Sequence, residues 1–522
     1  MPETPVLLRV DGRAVEAESG ATVAAALANA GVVACRVSAS GEARGPLCAM
    51  GICFECRVTL DGEPHVRACM TVVRDGMEVL TGPVSAHGSR LTAHGPVVPV
   101  SCDVAVAGGG PAGVAAACRA AEAGARVLLL DENPEPGGQI FRRRAGEAPP
   151  ERFAAWMDRL ARSGARVEPG ATVYDAFASA GGRAFRLFAR NAAGVLDVSA
   201  AQVILATGAR ERFLPFPGWT LPGVMGAAGA QALWKSGARL AGRVAVVAGS
   251  GPLLLPAAAS LAKAGARLEM VAEQAPLAGL AALAARLLAW PSRIVEAARY
   301  RGAFADAPYA AGWWVAEARG RGRLEAVVLT DGAQTMEVPC DLAAVGWGLV
   351  PNRDLTALLG CETRGGAAVV SDTQESTVAG VFCAGETCGV AGVDVALAEG
   401  EIAGASAAGA SGIESRLLRA RTAGRRLARA MDRAFRLRDE LRSVASHDTI
   451  VCRCEDALVG AAGLCGGARE AKLAFRAGMG PCQGRVCGPA LEFLFGWDSD
   501  TVRPPAQPAT LAELALASEE SA

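Results

Sequence analysis

Residues 102–132 read CDVAVAGGGPAGVAAACRAAEAGARVLLLDE, and this stretch decides the fold. It breaks into a strand, a glycine turn, a helix and a second strand. Gly108, Gly110 and Gly113 stand at G-x-G-x-x-G spacing between the strand and the helix. Such glycines permit a tight turn and let the backbone approach a pyrophosphate, which rests on the positive end of the helix. Asp131 closes the second strand, where a carboxylate accepts hydrogen bonds from ribose hydroxyls. The complete unit predicts an α/β dinucleotide-binding domain.

A second unit starts at residue 242, GRVAVVAGSGPLLLPAAASLAKAGARLEMVAE. Gly249 and Gly251 match the pattern, but Leu254 stands at the third glycine position, so helix and strand cannot close as tightly there. Glu273 remains in place to hold a ribose. The fold is expected to persist, while NAD, another nucleotide or no ligand all stay open for this site. Further along, Gly138-Gln139 follows the first unit's second strand, Thr207-Gly208 ends the strand AQVILATGAR, and Gly385-Glu386 follows another strand in VAGVFCAGETCG. Together these resemble the two-dinucleotide-domain flavoproteins. That resemblance implies FAD in the first unit, with the late glycine-acid pair beside the flavin ribityl chain, although the family usually carries Asp where Glu386 stands.

Sixteen cysteines in a chain that shows no secretory signal point to metal or redox chemistry rather than structural disulfides. Cys48, Cys53, Cys56 and Cys69 are separated by four, two and twelve residues. They sit in a small module in which residues 6–17 form a hairpin over Asp11-Gly12, residues 21–30 form a helix capped by Ser19, and Asp61-Gly62 makes a second turn. The spacing follows plant-type 2Fe-2S ferredoxins, with a shortened last gap. In this it resembles the ferredoxin-like domain of the alpha chain of sarcosine oxidase. Zinc is the competing occupant.

Near the other end, Cys452 and Cys454 flank one residue, and Cys482 and Cys487 flank four, with glycines around the second pair. The set resembles the cluster domain of bacterioferritin-associated ferredoxin found in opine oxidase, hydroxyproline dehydrogenase and hydrogen cyanide synthase subunits, which implies a second 2Fe-2S cluster. Zinc is more credible here than at the first set. Cys383 and Cys388, four residues apart, read as free thiols, with a redox pair near the flavin as the second reading.

With 522 residues, three or four domains are expected. A net charge of -1 and a pI near 6.5 argue against nucleic acid as a partner. No apolar run reaches the length of a spanning helix, and the nearest, Ala278 to Trp290, is short and interrupted by Arg286, reading as a buried or surface-lying helix. A cytoplasmic protein is expected, with peripheral placement at the inner membrane face as the minority view. None of the four histidines, His65, His87, His94 and His447, lies in a flavin motif where a proton-abstracting base belongs. Catalytic residues stay unassigned.

Taken whole, the chain resembles the alpha-type subunits of these amine and amino-acid dehydrogenases, with the ferredoxin module fused at the N-terminus. The implied domains are 1–95 (2Fe-2S ferredoxin-like), 100–240 and 341–412 (two parts of the FAD domain), 241–340 (second nucleotide-like domain), 413–446 (helical linker), 447–498 (second 2Fe-2S domain) and 499–522 (loosely ordered tail). The resemblance also implies a second, amino-acid-oxidase-like flavoprotein that carries the substrate site, a downstream electron acceptor and, in some members, an FMN between the subunits. A self-sufficient NAD(P)H-dependent reductase is the rival reading, and a zinc-stabilised scaffold a third.

Overall fold

The computed structural model describes residues 5–83, 95–179, 182, 184–497 and 502–518; His87 and His94 lie outside them. The N-terminal module opens with Val6–Val10 paired antiparallel to Arg13–Ala17 across the expected turn. Glu78–Leu80, Arg57–Leu60 and Glu63–Arg67 complete a five-stranded sheet. The helix runs Val23–Asn29, and its cap is Thr22 rather than Ser19, since Thr22 Oγ1 accepts the N–H of Ala25 at 3.3 Å. Burial sets this boundary: Val23 to Leu27 are all buried, so the helix starts where the chain dives into the core.

The first dinucleotide unit is built on a seven-stranded sheet. Arg166–Pro169, Val127–Asp131, Val97–Ala107, Gly194–Leu205, Phe185–Asn191 and Thr172–Ala178 stand side by side in that order, and Val381–Cys383 also pairs with Gly194–Leu205. Helix Pro111–Glu122 packs on one face against helix Val393–Ala407. The two backbones approach closely because Gly400 and Gly404 lack side chains, whose Cβ atoms would meet the Ala112 and Ala116 carbonyl oxygens at 2.2 and 2.3 Å. Strand residues Val104, Val106, Leu129 and Ile204 fill the layer beneath, each stabilising by about 1.5–3 kcal/mol when fully buried.

The second unit is a parallel sheet of Val224–Met225, Leu342–Trp347, Val244–Ser250, Arg267–Glu273 and Tyr309–Ala311, next to an antiparallel layer of Trp314–Arg319, Ala326–Thr330 and Thr335–Pro339. Its limits differ from the expected 241–340. The strand Leu342–Trp347 lies in the middle of this sheet and Val224–Met225 forms its edge, so the unit reaches further at both ends. The crossing between units is the short antiparallel pair Ala209–Glu211 and Leu349–Pro351.

The expected helical linker over residues 413–446 is two elements. Helix Ser415–Ala434 ends at Phe435, and a short 3-10 turn covers Asp439–Ser443, so Leu441 is buried from a separate element. The helix also packs on Val393–Ala407 through the ion pair of Arg425 with the buried Glu399. The tail departs from expectation too. Residues 502–518 pack on the first unit: Ala506 donates its N–H to Tyr174 O at 2.7 Å, and the buried Glu513 pairs with Arg190 at 3.0 Å. Helix Leu277–Leu287 lies at the surface, with Leu283 buried and Leu277 exposed. No helix among the described residues is long and apolar enough to cross a membrane.

Candidate functional site

The glycine turn of the first unit leaves a cradle that the chain does not fill. Gly108, at φ +106°, could carry no Cβ, since one would lie 2.4 Å from Ala206 O, and a Cβ on Gly113 would strike Gly108 O at 1.8 Å. Gly110 differs: nothing lies within 4 Å of where its Cβ would be. Two glycines are therefore needed by the fold, and the third faces open space at the start of helix Pro111–Glu122, where a pyrophosphate belongs. Gly138 closes the loop from the other side, its added Cβ reaching Gly110 Cα at 3.0 Å.

Asp131 is buried, and burial pushes its carboxyl up to about 6. Its Oδ1 accepts from the N–H and Nδ2 of Asn133 at 3.1 and 3.0 Å, while Oδ2 is buried with no partner. A buried carboxylate oxygen without a donor carries a desolvation cost of about 1–3 kcal/mol. Ribose hydroxyls would supply the missing donors, so the residues present fit a dinucleotide. The side-chain oxygen of Gln139 is likewise buried without a partner.

The later motifs converge on the same crevice. Thr207 Oγ1 donates to Asn352 O at 3.0 Å, and the Gly208 N–H donates to Thr387 Oγ1 at 3.2 Å, which ties the strand end to the Gly385–Cys388 turn. Gly385 N–H donates to the buried Glu399 at 3.1 Å, and Glu399 is gripped by Arg425, with Nε and Nη2 at 2.9 and 2.8 Å from its two oxygens. Glu386 is half-buried; burial raises its carboxyl against the opposing pull of Arg425. Cys383 pairs with Cys361 and not with Cys388, whose thiol accepts a long 3.9 Å contact from Gln374. Of the described histidines, His65 and His447 are exposed.

The second unit has the same loop, used up by the chain itself. Glu273 Oε2 accepts the Gly251 N–H at 2.9 Å and Oε1 the Ala275 N–H at 2.8 Å. Ser250 Oγ donates to Phe435 O at 3.0 Å, and Gln274 Nε2 donates to Arg436 O at 3.2 Å. Arg438 lies over the Trp314 ring, 4.8 Å from its centre. The segment after helix Ser415–Ala434 thus rests on the carboxyl ends of these strands, where a nucleotide would lie.

The two cysteine sets are buried, apart from a half-buried Cys454. Backbone N–H groups point at the sulfurs: those of Met50 and Cys53 at Cys48 Sγ (3.4 and 3.3 Å), of Gly51 at Cys69 Sγ (3.2 Å) and of Cys69 at Cys56 Sγ (3.4 Å). The thiols associate in twos, Cys48 with Cys53, Cys56 with Cys69, Cys452 with Cys487 and Cys454 with Cys482. Burial pushes Cys48 up, but the Cys53 thiol and the surrounding N–H groups outweigh it and draw Cys48 down to about 6. The Cys487 thiol draws Cys452 down to about 7 against burial. Among the described residues no set of three or more His, Cys, Asp or Glu side chains closes around a single metal-ion point.

Several residues that matter here carry no motif. Arg142 donates to Ala49 O in the first cysteine loop at 2.9 Å and to Asn133 Oδ1 at 3.0 Å, so one guanidinium joins the thiol set to the residue that orients Asp131. Glu211 is fully buried, accepts the Ala228 N–H at 3.0 Å and is pushed up to about 8 by burial. The one local signal for any of these was Arg142 in the basic run Arg142 to Arg144 after Gly138-Gln139.

Residues 3–83 match the 2Fe-2S iron-sulfur cluster binding domain, and residues 102–412 match the pyridine nucleotide-disulphide oxidoreductase family. An opine oxidase subunit of Rhizobium meliloti is 31% identical over 475 residues, covering 79% of this chain and 87% of that one. Hydrogen cyanide synthase subunit HcnB of Pseudomonas aeruginosa is 32% identical over 433 residues, covering 76% and 92%. The crystal structure of L-proline dehydrogenase from P. horikoshii superposes with a TM-score of 0.71 at 20% identity, covering 98% and 97%, and shares the fold. The chain therefore belongs to the pyridine nucleotide-disulphide oxidoreductase family, as an FAD-dependent oxidoreductase of the opine oxidase and HcnB type with a 2Fe-2S domain at its N-terminal end.

Proposed function

We propose that this chain is the electron-transfer subunit of a multi-subunit amine or amino-acid dehydrogenase, fed by a partner flavoprotein that oxidises the substrate. In this reading FAD lies on Gly108, Gly110, Gly113 and Asp131, one 2Fe-2S cluster on Cys48, Cys53, Cys56 and Cys69, and a second on Cys452, Cys454, Cys482 and Cys487. The observation that carries it is Arg142, which spans from Ala49 in the first thiol loop to Asn133 beside the ribose acid. A flavin site and a cluster site locked together by one half-buried side chain form a relay, not two independent sites.

The match of residues 3–83 to a 2Fe-2S cluster binding domain supports iron over zinc at the first set. When bound, the flavin accepts two electrons together and the clusters pass them on singly. The chain's own part is to hold and shield. Asp131 Oδ2 takes the ribose hydroxyls, the N-terminus of helix Pro111–Glu122 takes the pyrophosphate, and the N–H groups on Cys48 and Cys69 balance thiolate charge. The relatives named as subunits of opine oxidase and hydrogen cyanide synthase support a partner with the substrate site. An FMN between subunits belongs to the same proposal, without residues of this chain assigned to it.

Metal and flavin analysis of anaerobically purified chain is expected to give about four irons and one FAD. Co-expression with a second flavoprotein is expected to give a tight complex that reduces dyes with opines, imino acids or secondary amines, where the isolated chain is inert. Full turnover by the isolated chain would place a substrate site within these residues and reject the proposal.

A further inference from the structure

The two cysteine sets lie at opposite ends of the sequence, yet the residues between their ligands touch. Glu55 stands between Cys53 and Cys56, and Arg453 between Cys452 and Cys454. Glu55 Oε2 is 3.0 Å from Arg453 Nε, and Glu55 Oε1 is 2.6 Å from Arg36 Nη2. Arg36 also donates to Arg453 O at 2.9 Å, so one guanidinium holds both the carboxylate of the first set and the backbone of the second. All three side chains are at most 3% exposed. A second contact flanks them, with Arg44 and Ser40 on Asp456 at 2.8 and 2.7 Å.

We propose that the Arg36–Glu55–Arg453 triad is a positioning device that holds the two thiol sets face to face, so that electrons cross directly between the clusters they bind. The inference rests on the cluster assignment above. Stability alone does not account for the triad, since burying three charges is costly and an apolar seam of similar volume is often as stable or more so. Charge does account for it. Two guanidiniums against one carboxylate leave a buried positive surplus between two sets of thiolates. Arg36 Nε and Arg453 Nη2 are buried without an acceptor. One electron crossing this seam oxidises the iron on one side and reduces the iron on the other, with no bond broken and no proton required. The positive surplus favours the reduced, more negative state on either side.

The test is electron paramagnetic resonance of the whole chain reduced with dithionite. The expected spectrum shows two interacting spins, broadened and relaxing faster than the single signal of Cys487→Ala, which removes a ligand of the second set. In Arg453→Gln both midpoint potentials are expected to fall, and in Arg453→Lys, which keeps the charge, to fall less. Two non-interacting signals, equal to the sum of Cys487→Ala and Cys48→Ala, would overturn the inference while leaving the cluster assignment intact. Unchanged potentials in Arg453→Gln would overturn the charge role. Zinc without iron would overturn the assignment and the inference together. The spectrum of the unaltered chain decides the question even if the arginine variants fail to fold.

Discussion

The two dinucleotide units share a strand, a glycine loop, a helix and an acid at the end of the second strand, but they spend these groups differently. Both middle glycines, Gly110 and Gly251, face space empty of protein atoms, and in the first unit Asp131 keeps one oxygen without a partner. In the second, both oxygens of Glu273 are taken by Gly251 and Ala275, and Phe435 and Arg436 are anchored on Ser250 and Gln274 at the strand ends. The fold is common to both. A site exists only where the chain leaves donors and acceptors for something else to satisfy.

This comparison breaks most readily at Gly110. Because no protein atom lies within 4 Å of its missing Cβ, Gly110→Leu is expected to fold, to keep its iron and to lose FAD affinity by about tenfold or more, at least about 1.4 kcal/mol. Flavin absorbance against iron content measures this. Gly113→Ala is expected to behave differently, since its Cβ would lie 1.8 Å from Gly108 O and the fold itself would give way. Unchanged FAD in Gly110→Leu would remove the first unit as the flavin site.

A different effect, read in unfolding rather than in flavin content, is expected where the first unit's crevice is braced. Arg425→Met leaves Glu399 buried and uncompensated beneath the Gly385 turn, a loss of about 3–5 kcal/mol by thermal or denaturant unfolding. Glu399→Gln in the same background is expected to recover much of it, because the stranded charge is then gone.

The first unit was legible because its requirements are local. Gly108 and Gly113 serve the strand-to-helix turn they sit in and Asp131 ends the next strand, so their spacing carries the meaning. The first set's cysteine spacing was legible for the same reason, and residues 3–83 match the 2Fe-2S domain. Thr22, as the cap, was missed because the choice between it and Ser19 depends on where burial begins. The end of the second unit was misplaced because Leu342–Trp347 reads as a generic apolar strand, and only its pairing with Val244–Ser250 says which sheet it joins. Arg142, the Glu55–Arg453 contact and the Phe435–Arg438 segment act across long stretches of sequence, and no periodicity records such contacts.

Glu273 sharpens the comparison through pH. Burial raises its carboxyl from 4.5 to about 7. Between those values the folded chain holds a proton that the unfolded chain has released, so this group's contribution is full below about 4.5 and is lost as pH rises through about 7. The total is at most about 3 kcal/mol. Glu273→Gln is expected to flatten that slope in unfolding midpoints taken from pH 4.5 to 8, whatever constant offset the lost hydrogen bond adds. A slope unchanged in the variant would mean that Glu273 is ionised in the folded chain.

The smallest expected effect is none, and it is the most direct test of the second unit. A nucleotide that bound there with a Kd of about 10 µM would, at about 1 mM, stabilise the chain by about 2.7 kcal/mol, since binding to the folded state alone shifts unfolding by mass action. Neither NADH nor NADPH is expected to move the unfolding midpoint at that concentration, or to bleach the bound flavin anaerobically. The reasons are independent of each other. Leu254 stands where the third glycine belongs, both oxygens of Glu273 already accept backbone N–H groups, and the Phe435–Arg438 segment lies over the strand ends. FAD added to flavin-stripped chain serves as the positive control, because it must stabilise through the first unit if that unit is the flavin site. Rapid bleaching by either nicotinamide would mean that the segment lifts away in solution, and electrons would then enter through the second unit from NAD(P)H rather than from a partner flavoprotein.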